Sequence, residues 1–244
     1  MSDLTVLQLP LRTLAQDFLD YLDEWSEGLL PLSLASLVAE AGGPEHIGIF
    51  CVDVINGFCH EGPLHSLRVQ AIIAPIVALF RAADAAGIRN FVLPRDAHDL
   101  AAAEFADYPP HCIRGTSESE IVPELLALPF ASRYTIIPKN SINSAVGTTL
   151  NLWLDDHPEV THRIVVGDCT DLCTYQLAMH LKVRANAANR LDPVILPVNC
   201  VDTYDLPVEV ARAENIPAHP ADLFHAVYLY SMALNGVRIV SQIE

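Results

Sequence analysis

Short apolar and β-branched runs recur along this chain over residues 47–54, 90–93, 134–137, 163–166, 194–198 and 237–240. Segments of helical character separate most of them, over 66–87, 119–128, 145–156, 172–188, and 206–215 with 220–234. Strands that alternate with helices of ten or more residues build βαβ units, so an α/β fold with a parallel sheet is expected. Right-handed crossovers then set helices on both faces of the sheet. The same pattern says where chemistry can sit, because open parallel sheets bind ligands past the carboxyl ends of their strands.

Residues 1–45 depart from this pattern. Leu14, Phe18, Leu19, Leu22 and Trp25 recur at helical spacing with acidic residues between them, and a second apolar segment over 29–38 runs into Gly42-Gly43-Pro44. That tripeptide breaks regular structure. We read 1–45 as an N-terminal helical extension and 46–244 as the main domain. The extension is expected to pack on the main domain, with a lid or an oligomer contact as the alternative. A chain of 244 residues, 51% hydrophobic, has enough apolar side chains for a sizeable core.

A formal net charge of −16 gives no electrostatic reason to hold nucleic acid or an anionic membrane. It points to a neutral or cationic small-molecule substrate. No run reaches the roughly 20 apolar residues that cross a bilayer. Acidic residues interrupt every apolar stretch before residue 45, unlike a secretory leader. Cysteines at 51, 59, 112, 169, 173 and 200 lack the spacing of a disulfide framework. A cytoplasmic protein with reduced thiols is expected.

Four strand ends carry ionisable side chains. Asp53 closes the first run, Asp96 and His98 follow the second, Lys139 follows the third, and Cys173 follows the fourth where a helix begins. Asp53 lies among apolar neighbours, which raise a carboxyl pKa unless a cation is close, and Lys139 is a suitable cation. Each alone reads first as a surface or capping residue. Cys173 is the candidate nucleophile. A helix N-terminus and a nearby cation lower a thiol's pKa, Asp171 or Thr170 can cap that helix, and the turn offers N–H groups for an oxyanion. A free cysteine is otherwise a small buried hydrophobe, the reading kept for Cys51, Cys59, Cys112 and Cys200. Cys169 and Cys173 also have the spacing of a weak zinc pair. Asp96, His98, Glu104 and His111 fall in one short loop-like stretch. Two histidines with one or two carboxylates suit Zn²⁺, Fe²⁺ or Mn²⁺ and leave positions open for water or substrate. His60, His65, His157, His162, His180, His219 and His225 have no such context and are read as structural.

With these residues in view, the chain resembles the nicotinamidase branch of the isochorismatase-like cysteine hydrolases over about four fifths of its length, from Ile47 onward. The anchors are Val52-Asp53-Val54 with Asn56 and Phe58, Asp96-Ala97-His98, Pro109-Pro110-His111-Cys112 with Gly115-Thr116, Lys139 with Ser144-Ala145, and Gly167 with Thr170-Asp171-Leu172-Cys173. The resemblance implies a three-layer α/β/α fold with a six-stranded parallel sheet. It implies a catalytic triad of Asp53, Lys139 and Cys173. The oxyanion hole would come from the N–H groups of Cys169 and Cys173, with a cis peptide between Asp168 and Cys169. One divalent metal, Zn²⁺ ahead of Fe²⁺ or Mn²⁺, would be held by Asp96, His98 and His111, with Glu104 at a more variable position. Phe58 and Tyr108 would stand around the substrate ring. Two positions depart from the family pattern: Ile55 where most relatives have Gln, and Gly57 where many have Asp. Both are expected to flank the pocket entrance.

The implied reaction is hydrolysis of nicotinamide to nicotinate and ammonia through a thioester. Alternatives are the same thiol chemistry on another small amide or carbamoyl compound, a metal-hydroxide hydrolase in which Cys173 only packs, and a non-catalytic binding or scaffold protein. A homo-oligomer built through the extension stays open.

Overall fold

The computed structural model describes residues 10–244. Within these residues seven strands form one parallel sheet: β1 (Ile47–Val52), β2 (Asn90–Asp96), β3 (Thr135–Lys139), β4 (His162–Asp168), β5 (Val194–Pro197), β6 (Val201–Asp202) and β7 (Arg238–Val240). Six run in the order β3-β2-β1-β4-β5-β7. The two-residue β6, too short to stand out in the sequence, pairs with the end of β4 through Gly167↔Val201 and Asp168↔Asp202. The helices are α1 (Leu11–Glu27), α2 (Leu34–Ala41), α3 (Asn56–Cys59), α4 (Leu67–Ala71), α5 (Ile73–Ala85), α6 (Pro123–Leu126), α7 (Leu150–Asp156), α8 (Cys173–Ala187), α9 (Val208–Glu214) and α10 (Ala221–Leu234). From β1 the chain steps outward to β2 and β3, then returns to β4 on the other side of β1. This reversal of strand order leaves a crevice at the carboxyl ends of β1 and β4.

Every residue of β1 is buried, as a strand covered on both faces requires. Period-two alternation divides the core. Ile47, Ile49, Cys51, Phe91, Leu93, Ile164 and Val166 face one layer, which contains Leu37 of α2, Val69 of α4, Ile76 and Phe80 of α5 and Leu125 of α6. Phe50, Val52, Val92, Val165 and Leu196 face the other, with Leu154 of α7, Leu177 and Leu181 of α8 and Met232 of α10. Three layers result.

The helix expected over 66–87 breaks at Ile72 into α4 and α5. Pro75 has no N–H for the Ala71 carbonyl, and its ring would clash with that carbonyl; it is accommodated in the first turn of α5. The helix expected over 145–156 shrinks to α7 because the chain turns first at Gly147, whose φ is +69°. That expected over 119–128 starts only at Pro123. Strands β2 and β3 instead run further than the apolar runs, through Pro94 and Pro138. Proline normally ends a strand reading. Here β3 is an edge strand and the β1–β2 ladder already ends at Phe50↔Val92.

Residues 1–9 of the expected extension lie outside the described residues, and α1 and α2 pack against the rest of the chain. Rings of Phe18, Tyr21 and Trp25 on α1 meet Tyr230 of α10 edge-on at centroid distances of 5.5, 5.8 and 5.2 Å. The chain after α1 runs beside the last residues: Leu32 N–H donates to Gln242 O at 2.9 Å, Leu34 N–H to Glu244 O at 2.7 Å, and Glu244 N–H to Leu32 O at 3.0 Å. These contacts lie on the β7 flank and protect that sheet edge. The six cysteines are free. No helix among the described residues is long and apolar enough to cross a membrane.

Candidate active site

Asp53 follows β1 in the left-handed region at φ +58°, which Asp tolerates better than most residues. Its Oδ1 accepts from the Asp96 N–H at 2.8 Å, and its Oδ2 lies 2.7 Å from Lys139 Nζ. Lys139 ends β3 in register with Asp96 at the end of β2. The ammonium also donates to Asp96 Oδ1 at 2.5 Å and stands 3.5 Å from Cys173 Sγ. Carboxylate oxygens of Asp53 and Asp96 and the sulfur of Cys173 lie within 4.8 Å of one another. All four side chains are buried. The structure therefore brings together the three residues that the resemblance names as a triad, and adds Asp96 as a second anion on the lysine.

Burial governs how these groups titrate. It raises the Asp53 pKa, Asp96 raises it further, Lys139 pulls it down, and the balance is about 6. Burial disfavours the Lys139 ammonium, but Asp53 and Asp96 outweigh it and hold its pKa well above the ordinary value. At Cys173 burial prevails over Lys139, so the thiol is pushed up. That is the reverse of the lowering expected from a cation and a helix start, which are visible in the sequence while the depth of burial is not. The resting thiol keeps its proton next to a carboxylate able to take it.

Gly167, at φ +116°, is the penultimate residue of β4, just before the turn into α8. A Cβ there would lie 1.9 Å from Val52 O, so only glycine lets the chain pass. The Asp168–Cys169 peptide is cis. Cys173 is the first residue of α8, and donors in a helix's first turn have no partner inside the helix. The expected capping by Asp171 or Thr170 is not made. Asp171 Oδ2 instead pairs with His219 Nε2 at 2.7 Å, and Thr170 Oγ1 meets His225 Nδ1 at 2.8 Å.

Asp96, His98 and His111 each bring one ligand atom to within 4.8 Å of the others, all from buried side chains. Nδ1 of His111 donates to Pro109 O at 2.8 Å. His98 Nδ1 faces Asn140 Oδ1 at 3.3 Å, and that oxygen is fixed by the Asp99 N–H at 2.9 Å. With the Nδ1 protons so assigned, both Nε2 atoms present lone pairs. His98 Nε2 is buried without a hydrogen-bond partner and sits 3.5 Å from Asp96 Oδ2. With His98 neutral, its Nε2 and Asp96 Oδ2 are two facing acceptors, which fits a divalent cation of the Zn²⁺, Fe²⁺ or Mn²⁺ type in place of the proton that Asp96 and Glu104 otherwise favour on the ring. Glu104 stands beside this trio: Oε1 is 3.9 Å from His98 Nε2, and Oε2 accepts from the Ile142 N–H at 3.2 Å.

Aromatic rings enclose His111, with Phe58 at 5.7 Å, Phe105 at 5.7 Å and Tyr108 at 6.3 Å between centroids. Phe105 also meets His98 at 5.4 Å. Sequence reasoning passed over Phe105 and Asn140; their one signal is adjacency, to Glu104 and to Lys139. Ile55 and Gly57 are both buried. Ile55 is fully buried in the core. A Cβ on Gly57 would lie 2.5 Å from Cys112 Sγ and 3.0 Å from Glu118 Cβ, so Cys112 fills the room that a larger residue at 57 would need.

Residues 48–214 match the family model described as Isochorismatase domain. Nicotinamidase 1 of Arabidopsis thaliana is 32% identical over 215 residues, spanning 81% of this chain and 86% of its own. Among solved structures, a cysteine hydrolase from Pseudomonas syringae pv. phaseolicola has a TM-score of 0.67 at 20% identity, covering 82% of this chain and 90% of that one. A nicotinamidase from Bacillus subtilis has a TM-score of 0.61 at 24% identity, covering 80% and 99%. The family match takes in the whole crevice from Asp53 to Cys173, and on it the chain belongs to the isochorismatase family of hydrolases.

Proposed function

We propose that this protein is a metal-dependent cysteine amidohydrolase that converts nicotinamide to nicotinate and ammonia. One observation carries the reading: Asp53, Lys139 and Cys173 share a buried space, with the sulfur and carboxylate oxygens within 4.8 Å and the ammonium against both. The likeness to the Arabidopsis nicotinamidase supports the choice of amide. In this reading residues 46–244 are the hydrolase unit and 1–45 an extension whose residues 30–34 are tied to its β7 flank.

Asp53 takes the proton of Cys173, and Lys139 holds that carboxylate in place. The thiolate attacks the amide carbonyl, and the developing oxyanion is met by the N–H groups of Cys169 and Cys173. Asp53 passes the proton to the departing nitrogen, the C–N bond breaks, and ammonia leaves a thioester. Asp53 then deprotonates a water that attacks the thioester, and the released sulfur recovers the proton. A divalent ion held by Asp96, His98 and His111, with Glu104 beside them, would supply an open coordination position for the pyridine nitrogen. Phe58 and Tyr108 would wall the ring, so that binding orients the amide toward the sulfur.

A second reading keeps the same thiol chemistry and changes the substrate to another small amide or carbamoyl compound. Cys112 packed against Gly57, where the family pattern often has Asp, favours keeping it. Ammonia release decides between them, measured with protein loaded separately with Zn²⁺, Mn²⁺ or Fe²⁺ and offered nicotinamide and a panel of small amides. Nicotinamide is expected to be the best substrate. Turnover confined to a carbamoyl compound would transfer the reading to the second substrate class, and binding without ammonia from any amide would remove the enzymatic proposal.

A further inference from the structure

We infer that His219 is a positioning residue that holds Asp171 away from the N-terminus of α8, leaving the Cys173 N–H free for the oxyanion. The inference rests on the thiol reading above and adds a residue to it. His219 lies past residue 214, where the family match ends.

Asp171 is two residues before Cys173 and is of the type that caps helices. In the structure it makes no cap; α8 has no side-chain acceptor at its start. Its carboxylate is buried and pairs with His219 Nε2 at 2.7 Å. The imidazole is fixed on every side. Nδ1 donates to Tyr204 O at 2.8 Å, so an Nε2–H toward Asp171 makes the ring an imidazolium and that contact an ion pair. The ring stacks on Tyr204 at 3.9 Å and 13°, with Phe224 at 4.6 Å. Its backbone exchanges hydrogen bonds with Leu206 at 2.8 and 2.9 Å. Nearby, the Thr170 N–H donates to Asp202 O at 3.0 Å, tying the same turn to β6.

The alternative position of Asp171 would harm the proposed chemistry twice. A carboxylate turned back on the start of α8 would accept from the Cys173 N–H two residues on, which the oxyanion needs, and it would set a negative charge beside a developing one. His219 prevents both by giving that carboxylate a partner on the far side. The nucleophile turn is also compact: the N–H groups of Leu172 and Thr174 both donate to Cys169 O, at 3.0 and 3.1 Å. A swing of Asp171 is therefore felt at both proposed oxyanion donors.

The test is a double-mutant cycle read in kcat, KM and bound metal. His219→Ala is expected to lower kcat about 10²-fold, the scale of one lost oxyanion donor, with KM and metal content within twofold of the unmodified protein. Adding Asp171→Ala removes the competing cap and should return kcat to the level of Asp171→Ala alone. His219→Gln, which keeps an N–H donor for Asp171, should stay close to the unmodified protein. If His219→Ala does not fold, His219→Phe keeps the stack on Tyr204 and carries the same expectation. The inference is overturned if the double variant is as slow as the His219 variant, or if the loss lies only in KM or metal content. Failure of the thiol reading shows separately, as a Cys173→Ala protein that still turns over.

Discussion

On the crevice side of the sheet, Asp53, Asp96, His98, Lys139 and Cys173 leave water together. On the β7 flank, the extension buries Leu32, Leu34 and Leu37 among aliphatic side chains. Both regions are dry, but for different reasons. Aliphatic burial lowers the free energy of the fold directly. Burial of charges raises it unless each has a partner, and even then the gain over a packed apolar core is small. The flank is therefore built for stability, and the crevice keeps a costly arrangement whose return is chemistry. Substitutions should separate the two. Cys173→Ala removes one sulfur and no charge, so the fold should persist while turnover falls by at least about 10⁴-fold, as for loss of other covalent nucleophiles. Ammonia release together with circular dichroism checks it; near-normal rates would reduce Cys173 to packing.

Lys139→Met tests the charged region from the other direction. It leaves Asp53 and Asp96 facing each other without a cation, and breaking a buried pair in this way costs about 3–5 kcal/mol. Denaturant unfolding should show that loss along with inactivity. A fully stable, inactive variant would mean that the two carboxylates find other partners, and would weaken the contrast between the two regions.

The sheet was legible because a parallel strand covered on both faces is written as an unbroken apolar run, and six such runs name six strands. Strand ends were harder to read, since Pro94 and Pro138 look like stops when the chain's neighbours are not known. Asp96, His98 and His111 could be found because ligand types crowd one short stretch. The partners that orient them, Asn140 and the Pro109 carbonyl, are ordinary residues whose role comes only from the hydrogen bond they make. His219 was invisible for a stronger reason. Forty-eight positions along the chain from Asp171, it is joined to the nucleophile turn only by the fold of the 203–220 segment. The direction of the Cys173 shift was misread in the same way: a sequence displays charges in order but does not display burial.

Leu37→Ala probes the flank. The side chain is fully buried on α2, and truncation of such a leucine costs about 2–5 kcal/mol. The midpoint of denaturant unfolding should fall accordingly, while kcat of the folded protein stays unchanged. A fall in kcat would mean that the extension communicates with the crevice.

The smallest effect expected is the acid limb of the pH profile, and it belongs to the crevice alone. Burial and Asp96 together raise Asp53 to about 6 against the pull of Lys139. Above that pH the carboxylate is ionised and can take the Cys173 proton; below it the group is already protonated and cannot. Between pH 7 and pH 5 the ionised share should drop from about nine tenths to about one tenth, so kcat/KM should fall roughly tenfold. Leu37→Ala should show the same limb at the same pH, because β7 stands three strands away from β1, which Asp53 follows. A profile flat down to pH 5 would mean that Lys139 outweighs burial at this carboxylate. A limb displaced by Leu37→Ala would mean that the two regions are energetically coupled after all.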